Sequence, residues 1–187
     1  MDLMKGCQIC NQRDLQEMHL GRKIAQRAWT GNAVRSTGQR ARMKILSAGV
    51  LVTDGTRLLL GHATRSPRWD IPKGIVQEKE DVAEAAAREL HEETGLRVEP
   101  TRLIPLGVHR YLPGKDLALF EWRLPSMPDL SSLHCDSHFT VGESLLPEFD
   151  RFGIFDWDEA TTRVGRNMAR VLSCFGPKFD TNQCRNL

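Results

Sequence analysis

A short stretch of this sequence, Asp81–Gly95, spells a helix whose charges work against it. Asp81 stands at its head as a capping carboxylate with Glu84 three residues on, the spacing of a capping box. Ala83, Ala85, Ala86 and Ala87 are strong helix formers. Gly95 supplies a left-handed end cap, with Leu96 as its apolar anchor. The spacing predicts a helix over Asp81–Thr94. At about 100° per residue, Glu92 and Glu93 fall roughly 60° and 40° to either side of Glu89. Three carboxylates therefore share one stripe of the last turn. Like charges at these spacings cost a few tenths of a kcal/mol per pair, and the helix dipole adds to the penalty. The opposite stripe, Ala83, Ala87, Leu90 and Thr94, is small and apolar and suits close packing on a sheet. A hard divalent cation would resolve the conflict, since Mg²⁺ takes one or two carboxylates together with waters and phosphates. A solvated acidic face is the plainer alternative.

Around this helix the chain alternates strand patterns and turns. Lys44–Thr53 and Arg57–Ala63 flank Asp54-Gly55 and read as a hairpin. Ser66-Pro67 and Ile71-Pro72 break the next stretch into loop. Thr101–Leu112 and Leu117–Leu124 flank Pro113-Gly114 as a second hairpin. Pro125–Pro147 reads as a long loop, Phe152–Trp157 as a short strand. A final helix, capped by Asp158, runs to Phe175 on the spacing of Val164, Met168, Val171, Leu172 and Phe175. Strands, one helix, more strands and a terminal helix predict an α/β (α+β) sandwich with a mixed central sheet.

With 187 residues, the expectation is one domain with an appendage. Of the 26 Lys/Arg and 24 Asp/Glu, nine and three lie in Met1–Lys44, so a +6 arm precedes a −4 body. We expect a basic, poorly ordered arm over 1–42, a domain over 43–176 and a tail over 177–187. Within the arm, Leu15–Trp29 suggests a short helix. Cys7-x-x-Cys10 with His19 lacks the second ligand pair of a structural zinc site. His134, Cys135 and His138 have metal-like spacing but only three members, and read as loop residues. The five cysteines are odd in number and irregularly spaced, which suits a reducing, cytoplasmic setting better than a disulfide framework. No apolar run reaches membrane-spanning length.

Read together, Gly74-x5-Glu80-x7-Arg88-Glu89-Leu90-x-Glu92-Glu93-x-Gly95-Leu96 matches every fixed position of the Nudix box. The chain resembles the Nudix hydrolase family from about Met43 to Phe175. That resemblance implies an α/β/α sandwich with a catalytic loop–helix–loop. It also implies that Glu89, Glu92 and Glu93 bind catalytic Mg²⁺ or Mn²⁺. Arg88 would tie helix to loop through a carboxylate, with Glu80 the candidate, and orient the ligands; Gly74 and Gly95 would shape the loop ends. Family members use metal-activated water to hydrolyse a diphosphate linked to another moiety.

Pro147-Glu148-Phe149-Asp150 resembles the tail of the bacterial RNA pyrophosphohydrolase branch, which implies that Glu148 completes the site; Glu121, on an alternating strand, competes with it. Trp69-Asp70-Ile71-Pro72-Lys73-Gly74 resembles the approach to the box in dinucleoside polyphosphate and inositol pyrophosphate hydrolases. Lys73 is accordingly a candidate phosphate partner. Arg65, Arg68, His109, Arg110 and Lys115 are candidates for a cationic rim. Trp69, Tyr111 and Trp122 are candidates to stack a base, against the plainer reading as core. The expected substrate is a phosphorylated nucleotide, such as a dinucleoside polyphosphate or a 5′-triphosphate RNA end. Nucleotide sugars, inositol pyrophosphates and oxidised nucleotides are alternatives. A non-catalytic module, sensing a ligand or associated with nucleic acid, is the competing class, although such modules tend to lose box carboxylates and none is lost here.

Overall fold

A computed structural model describes residues 44–176. The arm with its predicted helix and Cys7, Cys10 and His19, and the tail over 177–187, lie outside the described residues. In chain order the elements are β1 (Ile45–Thr53), β2 (Arg57–Ala63), β3 (Trp69–Asp70), β4 (Lys73–Ile75) and α1 (Val82–Thr94). There follow β5 (Ile104–Leu112), β6 (Lys115–Arg123), β7 (His138–Val141), β8 (Ser144–Pro147), β9 (Phe149–Asp156), α2 (Trp157–Arg163) and α3 (Arg166–Leu172). Single 3-10 turns sit at Pro100–Arg102 and Leu130–Ser132.

The main sheet runs β3-β2-β1-β6-β5, with β4 added on β1 and β9 on β2. It is mixed because β1 and β6 run parallel while β1–β2, β1–β4, β2–β9 and β5–β6 are antiparallel. Alternation along β1 and β6 divides the core in two, as the period-2 pleat requires. Ala48, Val50, Val52, Ala118 and Phe120 pack with Val82, Ala85, Ala86 and Leu90 of α1. On the other face Leu51, Leu117 and Leu119, with Leu58 and Leu60 of β2, meet Trp157, Ala160, Met168, Val171 and Leu172 of α2 and α3. The result is the predicted helix–sheet–helix sandwich. Among the described residues no helix is long and apolar enough to cross a membrane.

Several local expectations need correction. The terminal helix is two short helices, because Val164 leaves helical geometry to bridge Trp69 and Gly165 stands extended as the next N-cap. The Pro125–Pro147 segment is not all loop: β7 and β8 pair as a separate hairpin, turned at Gly142 with φ 60. The predicted loop after β2 holds two short strands, recruited by β1 and β2. The last strand begins at Phe149 rather than Phe152, and the strand expected from Thr101 begins at Ile104, after a 3-10 turn. Cys135, in the loop before β7, is a free thiol.

Candidate functional site

The acidic helix forms as its sequence directs. Asp81 caps it by accepting from the backbone N–H groups of Ala83 and Glu84, and Gly95 closes it at φ 75. The ring of His134 fills the place where a side chain at Gly95 would stand, so glycine serves there both for backbone freedom and for space. The next loop adds a second restraint. The N–H groups of Asp136 and Ser137 both donate to the Glu92 carbonyl, at 2.7 and 3.0 Å, satisfying a helix-end acceptor.

The four residues of the Arg88–Glu cluster form one connected unit. Arg88 donates to both oxygens of Glu80 at 2.7 and 3.0 Å, a bidentate pair, and to the Ile75 carbonyl at 3.2 Å. Its Nη1 donates to Glu89 at 2.7 Å and to Glu92 at 2.9 Å. Arg88 thus ties the loop before the helix to two of the three box carboxylates. Glu93 points elsewhere: its Oε2 accepts from the Lys73 backbone N–H at 2.9 Å. Lys73 is in turn brought into place by β1, where Gly49 lies opposite it and leaves room that a Cβ would take.

Glu89 is 7 % exposed and Glu93 1 % exposed. Burial raises the carboxyl of Glu93 well above its ordinary value; the Lys73 charge and N–H oppose this, while the Glu148 and Glu89 charges reinforce it. Burial likewise raises Glu89, against the pull of Arg88, with Glu92 and Glu148 adding to the rise. These are carboxylates crowded by their own kind in a desolvated place. Burial would favour loss of the Lys73 proton, but Asp70, at 2.8 Å, and Glu93 outweigh it and hold the ammonium above the usual lysine range.

Among the described residues no three His, Cys, Asp or Glu side chains converge closely enough to hold a metal ion ready-made. Glu89 and Glu92 share Nη1 of Arg88, while Glu93 is held apart by the Lys73 backbone. The donor set still fits a hard cation. Mg²⁺ needs only one or two protein carboxylates, and two buried ones with raised carboxyl groups sit where a positive charge would be most welcome. Gly74 adds to the fit, because the Glu89 carboxylate occupies the space over it that any side chain would fill.

Glu148, exposed between β8 and β9, is brought near by its backbone. Its N–H donates to Ser137 at 2.9 Å and its carbonyl accepts from Thr64 at 3.0 Å, and its charge reaches both Glu89 and Glu93. The competitor Glu121 pairs with Arg123 at 2.8 Å on β6. Trp69 is packed edge-on by Phe155 and His62, with the guanidinium groups of Arg151 and Arg163 over its ring. It is a wall rather than a free stacking platform. Trp122 belongs to the α1-side core. Tyr111 is half-buried where the charges of Asp70, Lys73 and Arg68 act on its phenol. His109 packs edge-on to Phe175 and its Nε2–H donates to the Leu106 carbonyl at 3.2 Å, remote from the carboxylates in its bonding. Arg65 holds φ 60 in the turn after β2. His134 meets Asp136, and His138 meets the Asp136 carbonyl.

Sequence reasoning missed Asp70, whose pairing with Lys73 needs β3 and β4 to form. It also missed the helix-end restraint from Asp136 and Ser137, which are backbone donors without a side-chain signature.

A family model described as NUDIX domain matches residues 43–124. The chain is 33 % identical over 147 residues to an uncharacterized 17.7 kDa protein of Enterobacteria phage T4, covering 72 % of this chain and 97 % of that protein. It is 42 % identical over 73 residues to an RNA pyrophosphohydrolase of Rhizobium meliloti, a match spanning 37 % of this chain and 44 % of the relative. Among solved structures, a MutT NUDIX hydrolase from Burkholderia pseudomallei superposes with TM-score 0.52 at 20 % identity, covering 68 % of this chain and 94 % of that one. The E. coli ORF135 protein does so with TM-score 0.51 at 21 % identity, covering 74 % and 93 %. These superpositions speak for the fold.

Proposed function

The chain belongs to the Nudix hydrolase family and acts on pyrophosphate bonds, and from that premise we propose that its substrate is a nucleoside polyphosphate or a 5′-triphosphate nucleic-acid end. The observation that carries the reading is the pair of buried, mutually repelling carboxylates Glu89 and Glu93, beside Arg88 and Lys73. Glu89, Glu92 and Glu93 would hold Mg²⁺ or Mn²⁺. When bound, such an ion lowers the pKa of attacking water and offsets phosphate charge.

This chain's own residues divide the remaining work. Arg88 keeps Glu89 and Glu92 oriented against Glu80, so the ligands need little reorganisation. Glu148 takes the proton of the attacking water; its exposure and the reach of its charge to Glu89 and Glu93 support that role. Lys73, held by Asp70, fixes the electrostatics at the edge of the site. Arg68 and Tyr111 line the approach by which phosphates arrive, and Trp69 backs it.

A panel of nucleoside triphosphates, dinucleoside polyphosphates, nucleotide sugars and inositol pyrophosphates, assayed with Mg²⁺ and read by mass spectrometry of products, tests the substrate. Preferred turnover of a nucleotide sugar or inositol pyrophosphate would refute the assignment. Turnover surviving Glu92→Gln and Glu93→Gln together would refute the site.

A further inference from the structure

The carboxylate site continues into a run of cations that the described residues leave without counter-charges. Lys73 is already committed to Asp70 at 2.8 Å. Lys115, the first residue of β6, is not: it has no ion pair among the described residues. It alternates with Leu117 and Leu119, which face the α2 and α3 side of the sheet, and it registers beside Ile45 of β1. It is half-buried, and the charges of Lys73, Asp70, Glu89 and Glu148 all act on it.

Farther along the same face stands Tyr111, within reach of the Arg68 charge. The Arg68 side chain lies 3.8 Å from where a Cβ on Gly165 would sit, and so borders the start of α3. Arg166 follows immediately, and Arg170 one turn later; both are exposed, while Met168, Val171 and Leu172 turn into the core. Arg170 reaches across to donate to the Arg110 carbonyl at 2.8 Å, on the strand residue next to Tyr111. Arg57, Arg88, Arg123, Arg151 and Arg163 each have a carboxylate partner. Among the described residues Arg65, Arg68, Arg97, Arg102, Arg110, Arg166 and Arg170 have none, and of these Arg68, Arg166 and Arg170 gather at the start of α3 and beside β5.

Adjacent unneutralised guanidinium groups repel one another, and they pair well with phosphate. Three of them strung along a surface, rather than converged on one point, suit an anion whose charges are spaced out. A free nucleotide carries its phosphates together; a nucleic-acid strand spaces them one per residue. We propose that Arg68, Arg166 and Arg170 hold the phosphodiester backbone of a single strand whose 5′-polyphosphate end, gripped by Lys115, enters the carboxylate site. This rests on the pyrophosphate-hydrolysing reading above and selects the strand end from among its substrates.

The test uses the full chain with ATP and with 5′-triphosphorylated RNA and DNA decamers. Each backbone phosphate contact steepens the dependence of log kcat/KM on log salt by about 0.7 for a single strand. The decamer slope should exceed that of ATP by roughly 2 for three contacts. In the Arg166→Gln/Arg170→Gln double variant the excess should fall by about 1.4, and decamer kcat/KM should fall about tenfold further than that for ATP. Lys115→Met should weaken both substrates alike. Similar use of RNA and DNA supports backbone recognition; preference for RNA supports the same surface with the 2′-OH read as well.

Equal salt slopes for ATP and decamer, or equal losses in the double variant, would overturn the inference. Fluorescence anisotropy of labelled decamer without metal gives a second readout. Binding weakened by the double variant, without any turnover, would sink the hydrolase reading and leave this surface standing. Turnover of ATP without salt-sensitive decamer binding would do the reverse.

Discussion

Gly74→Ala probes how the site is built. Gly74 lies in β4 beneath the Glu89 carboxylate. A Cβ placed there would stand 2.0 Å from the Glu89 Cδ and 2.1 and 2.2 Å from its oxygens, whereas non-bonded carbon atoms want roughly 3.5–4.0 Å. Neither partner yields freely. The Glu89 carboxylate is held by Arg88 at 2.7 Å, and β4 is registered on β1 through Gly74 and Ala48. Two relaxations are open. Glu89 can swing away from Arg88, or β4 can lift from β1 and stretch the hydrogen bond from Lys73 to Glu93. Overpacking of this kind costs about 1–3 kcal/mol. At roughly 2–4 °C per kcal/mol for a chain of this size, Tm should fall by about 2–12 °C. Either relaxation also misplaces a carboxylate of the proposed metal site by about an ångström, which lowers kcat/KM at least tenfold and up to about 100-fold. Calorimetry and initial rates in Mg²⁺ check both numbers. Gly165→Ala is the control: φ is −65 there and the nearest atoms to a Cβ are 3.8 Å away, so its Tm should move by no more than about 2 °C. If Gly74→Ala melts with the wild type and retains its turnover, the account of Glu89 seated on a bare backbone is wrong.

Other perturbations separate stability from chemistry. Arg88→Met should raise the Mg²⁺ concentration for half-maximal turnover by about 10–100-fold, because the ligands lose the group that orients them; an unchanged activation curve would remove Arg88 from that role. The same variant has a pH signature. Hydrogen bonds from Arg88 hold the Glu80 carboxyl below its ordinary 4.5. The pair therefore stabilises the fold above about that pH and loses its contribution as pH falls through the lowered value. The acid limb of Tm against pH should be shallower in Arg88→Met than in the wild type. Glu93→Gln should abolish turnover yet leave Tm equal or higher: it removes a buried charge whose carboxyl is raised by desolvation, and an amide oxygen still accepts from Lys73. A fall of several degrees would mean that Glu93 mainly supports the fold.

Much of the candidate site could be read directly because it is local. A capping aspartate, a run of alanines, three glutamates in the last turn and a terminal glycine lie within one segment, and helix geometry converts their spacing into positions without help from the rest of the chain. The same holds for β1 and β2, whose apolar runs around Asp54-Gly55 are set by the turn, where Asp54 accepts from the N–H groups of Thr56 and Arg57. The terminal helix misled because its apolar spacing continues across Val164-Gly165, while a strand some hundred residues earlier in sequence claims Val164 for a bridge.

What only the tertiary structure decided is which partners the charges take. Spacing puts Glu92 and Glu93 on one stripe, but Arg88 draws Glu92 and the Lys73 backbone draws Glu93. Lys73 looks like a free cation in the sequence and is paired in the fold, since β3 and β4 bring Asp70 against it. Glu148 and Lys115 come within electrostatic reach of Glu89 across long stretches of chain. Long-range pairing of charge depends on sheet register and on burial, and neither is written in the spacing of neighbouring residues.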